Sequence, residues 1–501
     1  MPMPSMILAS ASQKDEEVPE GLRQRKRPSA PVVATQKPEA KAAVAAEPGP
    51  WAARGRTLVA LLCLYGFSPV LMLWALAAWV RHRLFGGSFK AAPTPKKLNI
   101  LVTGGKMSKA SAVARAVGRH GHKVVTAEIM PYKFCHTCFC SYVSAHYVLP
   151  RPTVEPAKWE STIMSIVEAE DTDLIIPCTA PVESSAYAHL AKRLPAKVKV
   201  FAFDAAVTDE LDNKFTFNQV LVKAGLPCPE TAKMECLEDA LQFFEGKSTS
   251  EGSRKYIVKP AVYDPKARTE ILFLPIEDEK QLEYLKSRNA SKQVPYVIQE
   301  VLQNPEYGCY ALYNKGALTG FEFFESAASC LRYRQESGKN YDDVKNLCAG
   351  LGKAMNLTGQ LTLDLMHNSD GAMLPIECNP RIHSAVCTLE GHKNLGLALA
   401  DEGHVPSDAD VVTSSPKTLK YWIMDQVFLR AGFWKHKNCF KLSLWEMLCG
   451  TDALLHGDDP LPFLTMYLVQ IPSLLLLELV AGTPWLKIDF CIGKIVKEGG
   501  D

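Results

Sequence analysis

A chain of 501 residues has room for about three or four ordinary domains, or for one multi-lobed enzyme. Hydrophobic residues at 47% and charged residues at 22% allow a sizeable core, which excludes global disorder. Lys and Arg number 56 against 54 Asp and Glu, and the resulting net charge of +2 supplies no field for a polyanion, so nucleic acid is excluded as a partner.

Residues 1–56 are rich in Pro, Ala, Lys and Glu, a composition that cannot bury enough apolar area to offset chain entropy, and they read as a disordered tail. The basic run from Arg23 to Arg27 within it is a solvated cluster or a contact for an anionic membrane surface. Thr57 to Val80 carries no charge and is bracketed by Arg54 and Arg56 before it and by Arg81, His82 and Arg83 after it. Because ~20 apolar residues cross a bilayer core, 57–80 is expected to be a transmembrane or membrane-embedded helix, with Pro69 as the one place it could fold back. A linker over 81–97 contains the breakers Pro93 and Pro95.

Lys97 to Thr103 is a short apolar run that ends in Gly104-Gly105 and passes into a helical pattern, the opening unit of a parallel α/β sheet. Further strand-like runs at Lys123–Ala127, Asp173–Pro177 and Lys199–Phe203 alternate with helices, and together they predict an N-terminal α/β domain over 98–210. Fifteen cysteines, an odd number scattered through apolar segments, read as reduced thiols. The cluster Cys135-His136-Thr137-Cys138-Phe139-Cys140 has ligand-type side chains but no second paired knuckle, and it too reads as structural thiols. From Leu211 to 404 helices mix with strands that follow one another closely, as in an α+β lobe. A C-terminal helical extension is expected over 405–501, where the apolar run Met466–Val480, interrupted by Pro472 and Glu478, is short for a span and suits a packed or interfacial helix.

The residues that carry chemistry lie between 211 and 383. Lys259, in the strand Lys255–Pro260, would project among apolar neighbours, where an ammonium is costly unless an anion such as phosphate accompanies it. Gln360–Met366 and Met373–Arg381 flank the turn Asn368-Ser369-Asp370-Gly371, a hairpin that would set Asp364 beside Glu377 and Asn379. Hard oxygen ligands so placed suit Mg2+ or Mn2+, and two acidic groups in one pocket repel each other without a cation. Arg381 is suited to grip a carboxylate or phosphoryl group, and His383 to orient substrate or accept a proton from an amine.

Taken with Leu211–Phe217, the segment Gly225-Leu226-Pro227-Cys228-Pro229 and the strand Tyr296–Leu302, this order of features resembles the ATP-grasp ligases. The resemblance implies an ATP-grasp fold preceded by a parallel-sheet domain, with ATP and divalent metal as cofactors. It implies further that Lys214 joins Lys259 on the nucleotide phosphates, that the hinge Gln299, Glu300, Val301 and Leu302 holds the adenine edge, and that Glu306 binds the ribose. Where many ATP-grasp enzymes have a glycine-rich loop, this chain has Tyr263-Asp264-Pro265-Lys266-Ala267-Arg268-Thr269, so the charges of Lys266 and Arg268 would replace backbone amides, and Arg268 joins Arg381 and His383 as a catalytic candidate. That departure looks like the mycosporine-glycine synthase-type ligases, as do Ile100–Met107, Leu357–Gln360, Ile376–Ala385, Gly450–Asp452, Asp458–Phe463 and Trp485–Phe490. This closer resemblance implies that ATP activates an oxygen of the cyclohexenone 4-deoxygadusol and that glycine displaces the phosphate. Use of ATP places the catalytic part of an anchored enzyme on the cytosolic or stromal side. The alternatives are another carboxylate-amine or amino-acid ligation, or a non-catalytic nucleotide-binding scaffold at a membrane.

Overall fold

The computed structural model describes residues 49–501 except 87–88, 248–253, 263–272, 276–277, 327–331, 402–405, 408–409, 434–440 and 498–501. The expected tail thus lies outside the described residues up to position 48, and its remainder is already helical. Helix α1 runs from Pro50 to Phe85 without a break at Pro69, longer at both ends than the charge-free stretch. Pro50 at its first turn costs no hydrogen bond, because the amides there have no intrahelical partner. A stripe of Ala53, Thr57, Ala60, Leu61, Leu64, Leu71 and Ala75 is buried along one side. Near the amino end Arg54 donates to Leu479 O at 3.2 Å, and Arg56 reaches the carbonyls of Trp485 and Leu486. At the other end Gly457 lies so close to Ala78 and His82 that a Cβ would stand 2.5 Å from the His82 side chain.

Strands β1 (Asn99–Thr103), β2 (Lys123–Ile129), β3 (Val143–Leu149), β4 (Leu174–Pro177) and β5 (Lys199–Val200) form a parallel sheet in the order β3-β2-β1-β4-β5. Helices α2 (Ser108–Arg119), α3 (Pro156–Ala169) and α4 (Pro181–Leu190) connect them. The edge strand β3, absent from the sequence expectation, is largely half-buried and lacks the continuous apolar run of its neighbours. Gly104 turns the chain after β1 at φ +76°, and a Cβ there would sit 2.2 Å from Cys178 O, so only glycine fits.

Helices α5 (Ala205–Asp212) and α6 (Lys214–Lys223) lead into a smaller antiparallel sheet made of β6 (Thr231–Met234), β7 (Tyr256–Pro260), β8 (Phe273–Leu274) and β9 (Tyr296–Glu300), ordered β6-β9-β7-β8. Helices α7 (Leu237–Phe244) and α8 (Glu279–Ser287) belong to this lobe. Val301 and Leu302 alone separate β9 from β10 (Gln303–Asn314), which opens a second antiparallel sheet with β11 (Ala317–Glu325), followed in the chain by β12 (Arg332–Arg334), α9 (Lys339–Met355), β13 (Gly359–His367) and β14 (Met373–Asn379). Its order is β11-β10-β13-β14, and α9 packs on it through Val344, Leu347 and Leu351 against Phe321, Phe323 and Leu363.

After α10 (Val386–Leu389) and α11 (Leu395–Ala400) the chain is less helical than expected. Strands β15 (Leu419–Tyr421) and β16 (Thr451–Asp452), separated by α12 (Ile423–Arg430) and α13 (Leu444–Cys449), join β12 in a three-stranded sheet, which ties the C-terminal region to the preceding lobe. Helix α14 (Leu461–Thr465) continues through a π-helical turn at Met466–Gln470 into α15 (Ile471–Ala481), and this element packs beside α1. The chain closes with the hairpin β17 (Lys487–Asp489) and β18 (Lys494–Val496).

Candidate active site

Strands β13 and β14 pair so that Asp364 stands opposite Glu377 and Thr362 opposite Asn379, with a bulge directly after Asp364. The register is fixed by the turn between them: Asn368 Oδ1 accepts from the amides of Asp370 and Ala372, and Gly371 takes φ +80°. Asn379 Nδ2 donates to Asp364 Oδ2 at 3.1 Å, and Arg381 donates to Asn379 Oδ1. Lys214, at the start of α6, reaches Glu377 Oε2 at 3.2 Å. The α6 terminus is held by Asn213, whose Oδ1 accepts from Phe215 and Thr216 N–H, so the lysine leaves a fixed cap.

Lys259 comes from the other lobe. It donates to Gln299 Oε1 at 2.9 Å, and Gln299 Nε2 points back to Thr231 Oγ1 and Ile376 O, so this glutamine joins the small sheet to β14 at the root of the cleft. Glu306 falls at the register break of β10 between Gln303 and Tyr307, within electrostatic range of both Lys259 and Asp364. The expected hinge is where β9 passes into β10: Val301 N–H donates to Lys255 O at 2.8 Å, Leu302 is buried, and the Glu300 carboxylate accepts from Glu230 N–H at 2.9 Å. Glu300 therefore contributes a lobe-internal bond with its side chain and only its backbone to the hinge.

The charges here are held against their preference. Burial, followed by the negative charge of Glu377, pushes the Asp364 carboxyl well above the usual range. Burial works on Glu377 in the same direction, but Lys214, the hydrogen bond to Asp364 and Lys259 outweigh it and bring its pKa to about 2. The pair shares one negative charge more readily than two. Burial also lowers the ammonium of Lys259 and the guanidinium of Arg381, each only partly compensated by acidic neighbours, Glu377 first for the lysine and Asp212 first for the arginine.

Two participants were not assigned from the sequence. Asp212 lies 3.6 Å from Arg381 and orients it; its signal is its place two residues before Lys214. Lys109, at the start of α2, donates to Thr179 O at 3.1 Å and Ile382 O at 3.0 Å, and burial lowers its pKa to about 8, with Arg381 acting in the same direction. It bridges the N-terminal domain to the segment that bears Arg381. A cavity of about 460 Å³ lies along the carboxyl edge of the parallel sheet, lined by Lys106, Tyr132, Arg151, Glu183, Leu474 and Lys497.

His383 is packed as an aromatic ring. It stacks on Phe324 at 5.1 Å and meets Tyr333 edge-on at 5.4 Å, and burial followed by Lys109 and Arg381 takes its pKa to about 3. A ring this difficult to protonate positions the Arg381 segment better than it accepts protons, and its Nδ1 already takes Ala385 N–H at 3.2 Å. Lys266 and Arg268 lie outside the described residues. The last three segments of the closer resemblance are scaffold: Asp452 accepts from Tyr467 OH and Ile423 N–H, Asp458 pairs with Arg119, and Trp485 Nε1 donates to Thr57 of α1.

Comparison with known proteins bears on the fold. No family model and no curated protein matches the chain. Among solved structures, it is similar to biotin carboxylase from Campylobacter jejuni in complex with β-γ-ATP, with a TM-score of 0.51 and 16% identity over 63% of this chain and 74% of that one. It is similar also to the biotin carboxylase domain of 2-oxoglutarate carboxylase from Hydrogenobacter thermophilus, solved with MgADP, ADP and bicarbonate, with a TM-score of 0.51 and 14% identity over 63% and 73% of the two chains. The fold is therefore ATP-grasp, preceded by a parallel-sheet domain.

Proposed function

We propose that the chain is an ATP-dependent ligase that forms a C–N bond, and that it joins glycine to a 4-deoxygadusol-like cyclohexenone. The observation that carries the first part is the convergence of Lys214, Lys259, Asp364, Glu377, Asn379 and Arg381 from two lobes on one recess. Lys214 and Lys259 would hold the phosphates, the hinge from Gln299 to Leu302 the adenine edge, and Glu306 the ribose. Asp364, Glu377 and Asn379 would hold Mg2+. Their fit is chemical: a cation would offset the burial and the Glu377 charge that together raise the Asp364 pKa, and oxygen donors suit a hard ion. When bound, Mg2+ and ATP supply the phosphoryl group that activates an acceptor oxygen. Arg381, aimed by Asp212 and braced by Asn379, would steady the developing charge.

The cyclohexenone and glycine rest on the sequence resemblance, and product formation tests them. Full-length protein in detergent, given ATP, Mg2+, glycine and 4-deoxygadusol, should release ADP while the ultraviolet absorbance band moves to longer wavelength. ADP release that requires a different acid and amine, with no such shift, would replace this substrate pair by another carboxylate-amine ligation.

Membrane association is part of the same reading, with α1 in the plane of one leaflet. The helix is ~54 Å long, well beyond the ~30 Å hydrocarbon core. It contacts the enzyme body from Arg54 to His82, which a helix standing across a bilayer could not do while the body remained in water. Its opposite side exposes Leu58, Leu62, Leu73, Leu76 and Leu84, next to Leu476, Leu477 and Val480 of α15. Such a two-helix apolar face suits a monotopic contact. In liposomes, protease added from the enzyme's side should leave no protected α1 fragment; a protected fragment would restore the spanning helix.

A further inference from the structure

Among the described residues, one group of soft ligands lies apart from the cleft. Cys135 caps the start of a single 3₁₀ turn, His136–Phe139, Cys138 lies within that turn, and His146 faces them from the neighbouring edge strand β3. The Sγ atoms of the two cysteines are 3.6 Å apart, Cys135 Sγ is 3.9 Å from His146 Nε2, and all three ligand atoms lie within 4.8 Å of one another. His146 Nδ1 is 2.9 Å from Thr126 Oγ1 on β2. A threonine hydroxyl accepting the Nδ1 proton leaves the Nε2 lone pair directed at the cysteines, the arrangement by which an outer partner fixes a metal-binding imidazole.

We propose that Cys135, Cys138 and His146 form a zinc site. Zinc–sulfur bonds of ~2.3 Å in a tetrahedron place two sulfurs about 3.8 Å apart, close to the spacing already present without an ion. The edge from Cys138 to His146, a sulfur–nitrogen edge of about 3.5 Å in the same tetrahedron, needs a contraction of at most about 1.3 Å. A second paired knuckle, whose lack argued against metal in the sequence, is supplied instead by one histidine from β3, a strand the sequence did not reveal. Cys140, the remaining cysteine of the cluster, is turned away toward Asp459, so three protein ligands and one open position remain.

The place of the site gives it a consequence. Thr137, inside the ligand-bearing turn, donates to Gly105 O at 2.6 Å, and a Cβ on Gly105 would stand 3.0 Å from Cys135 Sγ. The preceding residue, His136, is held through its N–H and ring by Gln470, which also donates to Lys106 O. A metal at this point therefore sits beneath the glycine turn after β1 and fixes it from behind. On binding, each thiol releases its proton to solvent, so no oxidant or reductant takes part.

The test uses the full-length chain, purified anaerobically in detergent, stripped by chelator and titrated with Co2+ alone. Binding should saturate at a single equivalent, with thiolate-to-cobalt charge-transfer absorbance in the near ultraviolet and the visible bands of a tetrahedral site. Cys138→Ser and His146→Gln should remove or displace those bands. Thr126→Val, which leaves all three ligands in place, should weaken affinity ~10-fold. Cys449→Ser, exposed on α13 and distant in sequence, should change nothing. Absence of charge-transfer bands in the wild-type protein at excess Co2+ overturns the proposal, and so does a Cys135–Cys138 disulfide in the anaerobic protein or bands that survive Cys138→Ser. None of these readouts depends on ligase activity.

Discussion

Two clusters of close-packed charge, one buried and one half-buried, sit in this protein and are built on opposite principles. In the first, Arg115 of α2 pairs with Glu390 through two nitrogens and with Asp459 at 3.4 Å, Arg119 pairs with Asp458 at 2.8 Å, and His456 meets Glu390 at 3.0 Å. Although burial opposes it, Arg115 holds Glu390 well below the usual carboxylate range, and Glu390 in return raises Arg115. Arg115, Arg119, Glu390 and Asp458 are each favoured in their charged forms. In the cleft the signs reverse: Asp364 and Asp212 are pushed up, and Lys259 and Arg381 down, so most members are disfavoured in their charged forms. A cluster that satisfies itself has the character of scaffold, whereas one whose charges lack compensation has the character of a binding site.

The sharpest way to break this distinction is to remove one member of the satisfied cluster. Arg115→Met strips Asp459 of its cation and leaves Glu390 with only the more distant Arg119, and should cost about 3–5 kcal/mol of stability, read from the denaturant midpoint. Replacing Arg115 and Glu390 together by apolar residues should recover much of that loss. A single substitution as mild as a surface change would mean that water enters the network and that the contrast between the clusters is false.

The second test acts on the cleft. Asp364→Asn should lower turnover on the order of 10²–10³-fold, the scale of losing ~3–4 kcal/mol of charge stabilisation. Stability should be unchanged or higher, because the substitution removes a carboxyl that folding disfavours. A variant that loses stability along with activity would move Asp364 into the scaffold class.

How much of this the sequence revealed depends on how far apart the partners lie. Asp364, Glu377 and Asn379 share one hairpin, so alternation and an Asp-Gly turn are enough to bring them together, although the bulge after Asp364 was not legible. Lys214 and Lys259 were found through spacing and resemblance, while their meeting across two lobes depends on Gln299. The network around Arg115 left no local signal, since 275 positions separate it from Glu390. Strand β3 escaped because an edge strand with half its residues in water need not carry an apolar run. The run 57–80 hid its packing for a related reason: when every side of a helix is apolar, periodicity cannot say which stripe is buried, and only the flanking Arg54 and Arg56, bonded to the 479–486 segment, settle it.

The smallest expected effect is a difference between two pH curves, and it separates the clusters by sign. Asp364 has a folded pKa above its unfolded value near 3.8, so below 3.8 it costs the fold nothing; the cost grows as pH rises toward the folded value and is complete above it. Glu390 has a folded pKa below 4.5, so its stabilisation is complete above 4.5 and disappears as pH falls toward the folded value. Total stability must still fall on acidification, because His383, with a pKa of about 3, and His456, at about 4, are buried neutral and take up protons only on unfolding as pH drops below 6.5. The informative quantity is therefore the stability of Asp364→Asn minus that of the wild type, from urea midpoints at successive pH values. It should be greatest near neutrality and close toward pH 3.8, while the same subtraction for Glu390→Gln, negative near neutrality, should begin to close only below pH 4.5. Two curves closing over one pH range would mean that the two carboxylates sit in equivalent environments, and the division between a self-satisfied scaffold and a site awaiting its ligand would fail.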